Sequence, residues 1–336
     1  MKSLLPILLL TIFTACKQTT DTNTIPIAFY NCENLFDTNN DPDVDDDDFT
    51  PTGKYHYTQK VYHQKLHNIA TVIQSMANGD GPTIMGMAEV ENPNVLNDLC
   101  SQPELNRKNY KYIITSGPDP RGINVALLYK SDLFTPLSTE KIRVDLSAFG
   151  NSKTRDILHV SGILNADTIH IFVNHWPSRL GEEETSIAKR QAAANADKQA
   201  LEALYKTNPN ARVIFMGDFN DNPDDVTITH TLGAVAEKAN TSVSSLYNPW
   251  INIYKSGEGT EEFRNHWNLF DQIMLSGNML NQGQHLHYLK AEIYKPDFIV
   301  DHYKDHKGQP HRSFVGTHWI NGYSDHFPVI MYLGNN

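Results

Sequence analysis

Val213-Ile214-Phe215-Met216-Gly217-Asp218-Phe219-Asn220-Asp221 sets four apolar residues ahead of a glycine, then an Asp and an Asn two residues apart. Val213 to Met216 read as a short buried strand, entered from the turn-forming Asn208-Pro209-Asn210. Gly217 lets the backbone turn and lets another group approach closely. Side chains alternate along a strand, so Asp218 and Asn220 fall on one side of its C-terminal end. A carboxylate and an amide at a strand mouth can hold a metal or a phosphate together. An Asx-rich turn leaving a strand accounts for the same residues, so the rest of the chain has to decide.

Just upstream, Glu182 to Lys206 is alanine-rich and reads as the longest helix, with Ile187, Ala194, Leu201 and Leu204 as its buried stripe. Before it, Asp156 to Leu164 and Thr168 to Asn174 form a hairpin turned at Asn165-Ala166-Asp167. The second of these strands runs into Asn174-His175-Trp176-Pro177-Ser178-Arg179, so His175 also stands at a strand mouth, with Arg179 close by. Strand, helix and strand in succession are the mark of α/β layers.

The same arrangement recurs along the chain. Ile25, Ile27 and Phe29 alternate on one face of a strand that ends in Asn31-Cys32-Glu33. Gln59 to Met76 keeps helical spacing, and Thr83 to Ala88 is a second buried strand closed by Glu89. An acid finishing an apolar strand is costly unless it is paired or holds a metal. Val95 to Cys100 is a short helix; Tyr110 to Thr115 and Ile123 to Lys130 are strands, joined by a turn-rich loop carrying Arg121. Arg121 suits a phosphate and equally suits a solvated loop. Val226 to Leu232 reads as a helix, and residues 240 to 268 as an irregular segment packed by Trp250, Tyr254 and Trp267. Asn268 to Ser276 is a strand with Asp271 inside it, where a carboxylate needs a partner. His285 to Tyr294 is a further strand, and Ser324-Asp325-His326 precedes the last apolar one.

Two apparent metal motifs fail on spacing. The acidic loop Asp41 to Asp48 holds six aspartates, but a calcium loop counted from Asp41 needs Gly at its sixth position and Glu at its twelfth, and finds Asp46 and Thr52. His302 and His306 have helical metal-pair spacing, yet Lys307-Gly308-Gln309-Pro310 breaks any helix there.

Composition bounds the rest. The chain has 336 residues, 40% hydrophobic and 20% charged, an ordinary globular profile without a linker or repeat. Its formal net charge of -11 argues against a broad basic face wrapped by nucleic acid. It leaves open a hydrolase whose cation bridges the phosphate. Lys2 followed by the apolar run Leu4 to Phe13 is a targeting segment too short to span a bilayer. It predicts a signal peptide over 1–15, a lipid-bearing Cys16 and a polar tether over 16–24, ahead of a catalytic domain over 25–336. This implies export and a lipid anchor at the cell envelope, at the outer membrane or the periplasmic face. A plain secretion signal is the alternative. Cys32 and Cys100 fit either a disulfide or two buried thiols.

Asn31 and Glu33, Glu89, Asn174-His175, Gly217-Asp218-Phe219-Asn220, Asp271 and Ser324-Asp325-His326 follow one another in an order that resembles the endonuclease/exonuclease/phosphatase superfamily. The resemblance spans about residues 25 to 333 and is greatest to exported Bacteroidetes-type members. It implies a four-layer α/β sandwich, two mixed sheets face to face with outer helices, acting as a monomer. It implies that Glu89 binds a divalent cation, magnesium first with manganese or calcium as alternatives, helped by Asn31 and Asp325 and backed by Glu33. Asp218 would orient or deprotonate the attacking water, and Asn220 would hold a nonbridging oxygen. His326, oriented by Asp271, would face the phosphate. His175 would be a second phosphate contact or the leaving-group acid, with Arg121, Asn174 and Arg179 toward the substrate. The expected activity is that of an exported phosphodiesterase, a nuclease first. The alternatives are a phosphatase or phospholipase on inositol phosphates or sphingomyelin-type lipids, and, in another class, a non-catalytic binding module.

Overall fold

The computed structural model describes residues 24–283, 285–303 and 306–335. The expected signal segment and all of the tether before Thr24 lie outside them. In chain order the strands are β1 (Thr24–Leu35), β2 (Ile84–Val90), β3 (Tyr110–Ile114), β4 (Asn124–Lys130), β5 (Phe134–Ile142), β6 (Ile157–Leu164), β7 (Asp167–His175) and β8 (Arg212–Asp218). There follow β9 (Leu246–Tyr247), β10 (Glu261–Phe263), β11 (His266–Asn268), β12 (Asp271–Ser276), β13 (His287–Ile293), β14 (Phe314–Val315), β15 (His318–Trp319) and β16 (Val329–Gly334). The α-helices are α1 (Gln59–Gly79), α2 (Pro93–Cys100), α3 (Glu183–Thr207) and α4 (Trp250–Lys255).

Two mixed six-stranded sheets result, ordered β13-β16-β1-β2-β4-β3 and β5-β6-β7-β8-β12-β9. The parallel pairs are β1 with β2 and β7 with β8, and antiparallel strands complete each sheet. Three apolar clusters separate four layers. Tyr30, Met85 and Met87 pack against Leu66, Ile69 and Ile73 of α1 and Leu96 of α2. Ile27, Phe29, Ile171, Ile214, Met216 and Ile273 fill the space between the sheets. Phe172, Val213 and Phe215 pack against Ala193, Ala194 and Leu201 of α3. This is the α/β/β/α sandwich expected from the sequence. Gly86 allows the sheets to close, because a Cβ there would stand 2.6 Å from Met216 Sδ.

Several local expectations are corrected. Ile187 of α3 is 45% exposed, and the buried face of that helix includes Ser186, Arg190 and Asp197 instead. Its apolar stripe is thin because buried hydrogen bonds, Trp176 to Asp197 and Arg190 to Asp221, supply part of the contact. Residues 240–268 are not uniformly irregular: they contain β9, α4 and the β10–β11 hairpin. The helical turn after Asp225 is a short π-helix, Thr227–Thr231. β5 has no counterpart in the sequence reading, since its exposed face reads as polar loop. Cys32 and Cys100 are both free.

Candidate active site

Period-two alternation delivers most of the site. Ile169, Ile171 and Val173 of β7 face the inter-sheet core, so His175 continues on that side. Ile214 and Met216 do the same for Asp218, Ile273 and Leu275 for Asp271, and Ile27 and Phe29 for Asn31. The parallel strands end at this rim, and antiparallel β12 and β16 begin at it, which brings Asp271 and His326 to the same mouth. Asp271 pairs directly with Asp218 across β12 and β8.

Glu89 reaches the rim by another route. Its strand neighbours Met85 and Met87 face the α1 layer, so strict alternation would send Glu89 there too. Instead the β2 register shifts between Ala88 and Val90, and Glu89 takes φ 59°. β1 shifts in register between Asn31 and Leu35, with Glu33 at φ 49° and Asn34 at φ 55°. Asn220 stands at φ 50°. Left-handed backbone at residues other than glycine is disfavoured and gathers where function holds it. Register shifts in these adjacent strands thus turn Glu89 to the cleft and leave Glu33 behind it.

The polar contacts form one connected network. Asn31 Nδ2 donates to Asp218 Oδ2 at 3.0 Å, and the Asn220 backbone N–H donates to Asp218 Oδ1 at 2.9 Å. His326 Nδ1 lies 2.7 Å from Asp271 Oδ2. Ser324 Oγ donates to the Asn31 carbonyl at 2.7 Å and accepts the His326 N–H at 3.1 Å, so a single hydroxyl ties the last loop to the end of β1. His175 Nε2 faces Asp218 Oδ2 at 3.6 Å and Glu89 Oε1 at 3.9 Å, beyond hydrogen-bond reach.

Burial and neighbouring charge drive the ionisation of these groups apart. Burial alone would lower His326, but the carboxylates of Asp271, Asp218 and Asp325 outweigh it and hold the imidazole well above its usual range. Burial, reinforced by Arg155, Arg121 and His326, holds His175 well below its usual range, so this ring is neutral. Burial raises Asp218 to about 7, with His326 opposing and Asp271 adding to the rise. Burial and then Asp325 raise Glu33 to about 7 against the pull of Lys65. A charged imidazole, a neutral one and a carboxyl poised near neutrality are the components of acid–base chemistry.

The donor set suits a hard divalent cation. Glu89 Oε2 takes the Asn34 N–H at 2.8 Å, leaving Oε1 turned to the cleft, and Asp325 meets Arg312 through Oδ2 only. The Asn31 amide oxygen accepts the Glu33 N–H and keeps a second lone pair. These are oxygen donors, the chemistry magnesium, manganese and calcium require. Asp218, Asp271 and His326 also place ligand atoms within 4.8 Å of one another. His326 is already committed to Asp271 there. Among the described residues, His302 and His306 join no such group.

The model of the endonuclease/exonuclease/phosphatase family matches residues 26–335. The chain belongs to the endonuclease/exonuclease/phosphatase family. Its fold is shared with D. rerio TDP2 complexed with single-strand DNA product, at TM-score 0.57, 14% identity, 93% of this chain and 99% of the other. It is likewise similar to a mannosyl-6-phosphatase of Bacteroides thetaiotaomicron, at TM-score 0.57, 16% identity, 92% of this chain and 99% of the other. The human nocturnin catalytic domain, with bound sulfate, gives TM-score 0.55 at 16% identity over 93% of this chain and 95% of the other. No curated protein matches in sequence. Members of the endonuclease/exonuclease/phosphatase family are phosphoric ester hydrolases that typically use divalent metals.

The remaining family-derived positions are spread around this centre. Asn174 points away from the cleft, accepting Trp176 Nε1 at 3.2 Å on the α3 side. A Cβ on Gly217 would stand 2.5 Å from the Asn174 Cβ, so the close approach that this glycine permits is strand to strand. Arg179 donates to the Asn220 carbonyl at 2.8 Å and to Asp225 at 2.7 Å, holding the loops after β7 and β8 together. Arg121 is half-exposed, 3.6 Å from Asp119. Asn220 Nδ2 donates to the Trp176 carbonyl at 3.1 Å. Glu33 accepts the Ser313 N–H at 2.6 Å, behind the cleft. Of the buried cations that sequence reasoning did not single out, two lie just behind the site. Arg155 donates to the carbonyls of His175 and Trp176 and pairs with Asp119 at 3.1 Å. Lys65, fully buried on α1, donates to the Glu33 carbonyl at 2.6 Å and to Ser313 Oγ at 2.7 Å. No periodic signal marks either residue.

Proposed function

We propose that this chain is a divalent-cation-dependent phosphodiesterase with nucleic acid as its substrate class. The observation that carries the reading is the Asp271–His326 pair, with 2.7 Å between its polar atoms, set beside Asp218. Phosphodiester cleavage needs charge offset on the phosphoryl oxygens, a positioned water and help for the leaving oxygen. His326, held protonated by Asp271, supplies a fixed positive donor to a nonbridging oxygen. Asp218, raised by burial toward neutrality, is basic enough to take the proton of the attacking water and is held in place by Asn31 and the Asn220 N–H. Neutral His175 supplies an Nε2–H contact to the phosphate, which favours that role over leaving-group acid. Glu89, Asn31 and Asp325 would hold the cation, with Glu33 behind them; once bound it would polarise the phosphoryl oxygens and offset their charge.

A phosphomonoesterase is the second reading, favoured by the likeness to the mannosyl-6-phosphatase fold. Purified protein incubated with plasmid DNA, RNA, sphingomyelin, inositol phosphates and mannose 6-phosphate, with magnesium or with chelator, separates the two. Magnesium-dependent cleavage of a nucleic acid supports the proposal. Release of phosphate from monoesters alone overturns it. We propose further that the mature chain is exported and anchored through lipid on Cys16, supported by the apolar run that precedes it.

A further inference from the structure

Beside Asp325 lies a cleft of about 270 Å³ that the catalytic roles leave unused. One wall is the β10–β11 hairpin and the other the loop around Gln309 and Arg312. The hairpin base is fixed to the catalytic segment. The Phe327 N–H donates to the Thr260 carbonyl at 2.8 Å, and the Trp267 ring stacks on Phe327 with centroids 6.2 Å apart. Asn222 Nδ2 donates to Asn268 Oδ1 at 3.4 Å, linking the loop after Asp221 to the hairpin. Its tip, by contrast, is presented to solvent. Phe263 is 56% exposed, and Arg264 and Asn265 make the turn at φ 53° and 64°. The Arg264 guanidinium sits 5.0 Å from the Phe263 ring centroid and makes no ion pair among the described residues. Arg312 faces it across the cleft, 3.2 Å from Asp325.

An exposed aromatic ring backed by an unpaired guanidinium is a poor use of surface for folding alone. The pair matches a planar ring carrying a phosphate: the ring stacks on the aromatic face, and the guanidinium meets the phosphate oxygens. We infer that Phe263, Arg264 and Arg312 form a nucleobase-and-phosphate subsite flanking the scissile phosphate. This inference rests on the phosphodiesterase reading. Phe263 supplies the stacking face for the base next to the scissile bond. Arg264 and Arg312 take the following phosphate.

The test compares a short single-stranded oligonucleotide with the same oligonucleotide made abasic beside the cleavage position. Wild type should show a KM about tenfold lower for the base-bearing strand, the loss expected for one base–aromatic stack. Phe263→Ala, at an exposed position that the fold does not need, should raise that KM to the abasic value with kcat unchanged. Arg264→Asn keeps a residue tolerant of left-handed backbone, and should reduce the salt dependence of KM by about one phosphate contact. Equal KM values for both strands in wild type, or an unaltered KM in Phe263→Ala, would overturn the subsite while leaving the phosphodiesterase reading intact. Failure of wild type to cleave either strand in magnesium would remove both.

Discussion

His326 Nδ1 lies 2.7 Å from Asp271 Oδ2, and the strand register sets Asp271 directly opposite Asp218. One carboxylate therefore both fixes the imidazole and raises its affinity for a proton. Asp271→Asn preserves shape and removes that charge. It should leave the fold nearly intact and cost on the order of 10²–10⁴ in rate, the usual size of an acid–base contribution. The pH dependence carries a sign. Activity that needs protonated His326 is lost as pH rises through its pKa, which Asp271 holds high. In the variant this alkaline limb should move to lower pH. An unchanged profile would remove the pairing from the mechanism.

Arg155 is buried against Asp119 and holds the backbone of His175 and Trp176. Truncation leaves Asp119 buried without its partner. Arg155→Ala should lower stability by about 3–5 kcal/mol, read as a reduced urea midpoint at unchanged m-value. A loss below about 1 kcal/mol would mean that solvent replaces the guanidinium at no cost.

Much of this arrangement was legible because strands impose parity. Val213 to Met216 fix which way Asp218 points, and the runs into His175 and Asp271 repeat the rule. The order of polar strand ends then brings the site together. Glu89 was legible only as an acid at a strand end, because its direction depends on a bulge that no local residue announces. Asn174 shows the limit of motif transfer: parity turns it toward Trp176 while its neighbour His175 faces the cleft. Lys65 and Arg155 were invisible because their partners are backbone carbonyls and residues distant in sequence, such as Ser313. The hairpin β10–β11 was hidden in a segment with no clean alternation, since neither of its strands lies in either main sheet.

Glu33 gives a stability test without substrate. Its folded pKa, raised by burial to about 7, exceeds the ordinary 4.5, so the folded state prefers the protonated form. That contribution is fully present below the unfolded pKa and is lost as pH rises through the folded one. In chelator, wild-type stability should fall relative to Glu33→Gln between about pH 4.5 and 7, by about 3 kcal/mol at most. Thermal melts across that window would show it. Parallel curves for the two proteins would mean that Glu33 is ionised in the fold throughout.

The proposed lipid anchor makes Cys16 decide location. Cells expressing wild type should hold the protein in the membrane pellet, and Cys16→Ser should move it to the soluble fraction, since the acyl chains proposed for that residue would supply the attachment. Wild type already in the soluble fraction would reduce residues 1–15 to an ordinary export signal.

A divalent cation seated by Glu89 is proposed to support hydrolysis at the cleft. Magnesium titration of phosphodiesterase activity in wild type and Glu89→Gln is the decisive measurement. The variant keeps the size of the side chain and an oxygen to accept the Asn34 N–H, but loses the charge facing the cleft. The magnesium midpoint of the variant should be displaced upward by about tenfold or more, with activity partly restored at high magnesium. Identical midpoints and identical activity in the two proteins would contradict it and make Glu89 a structural carboxylate.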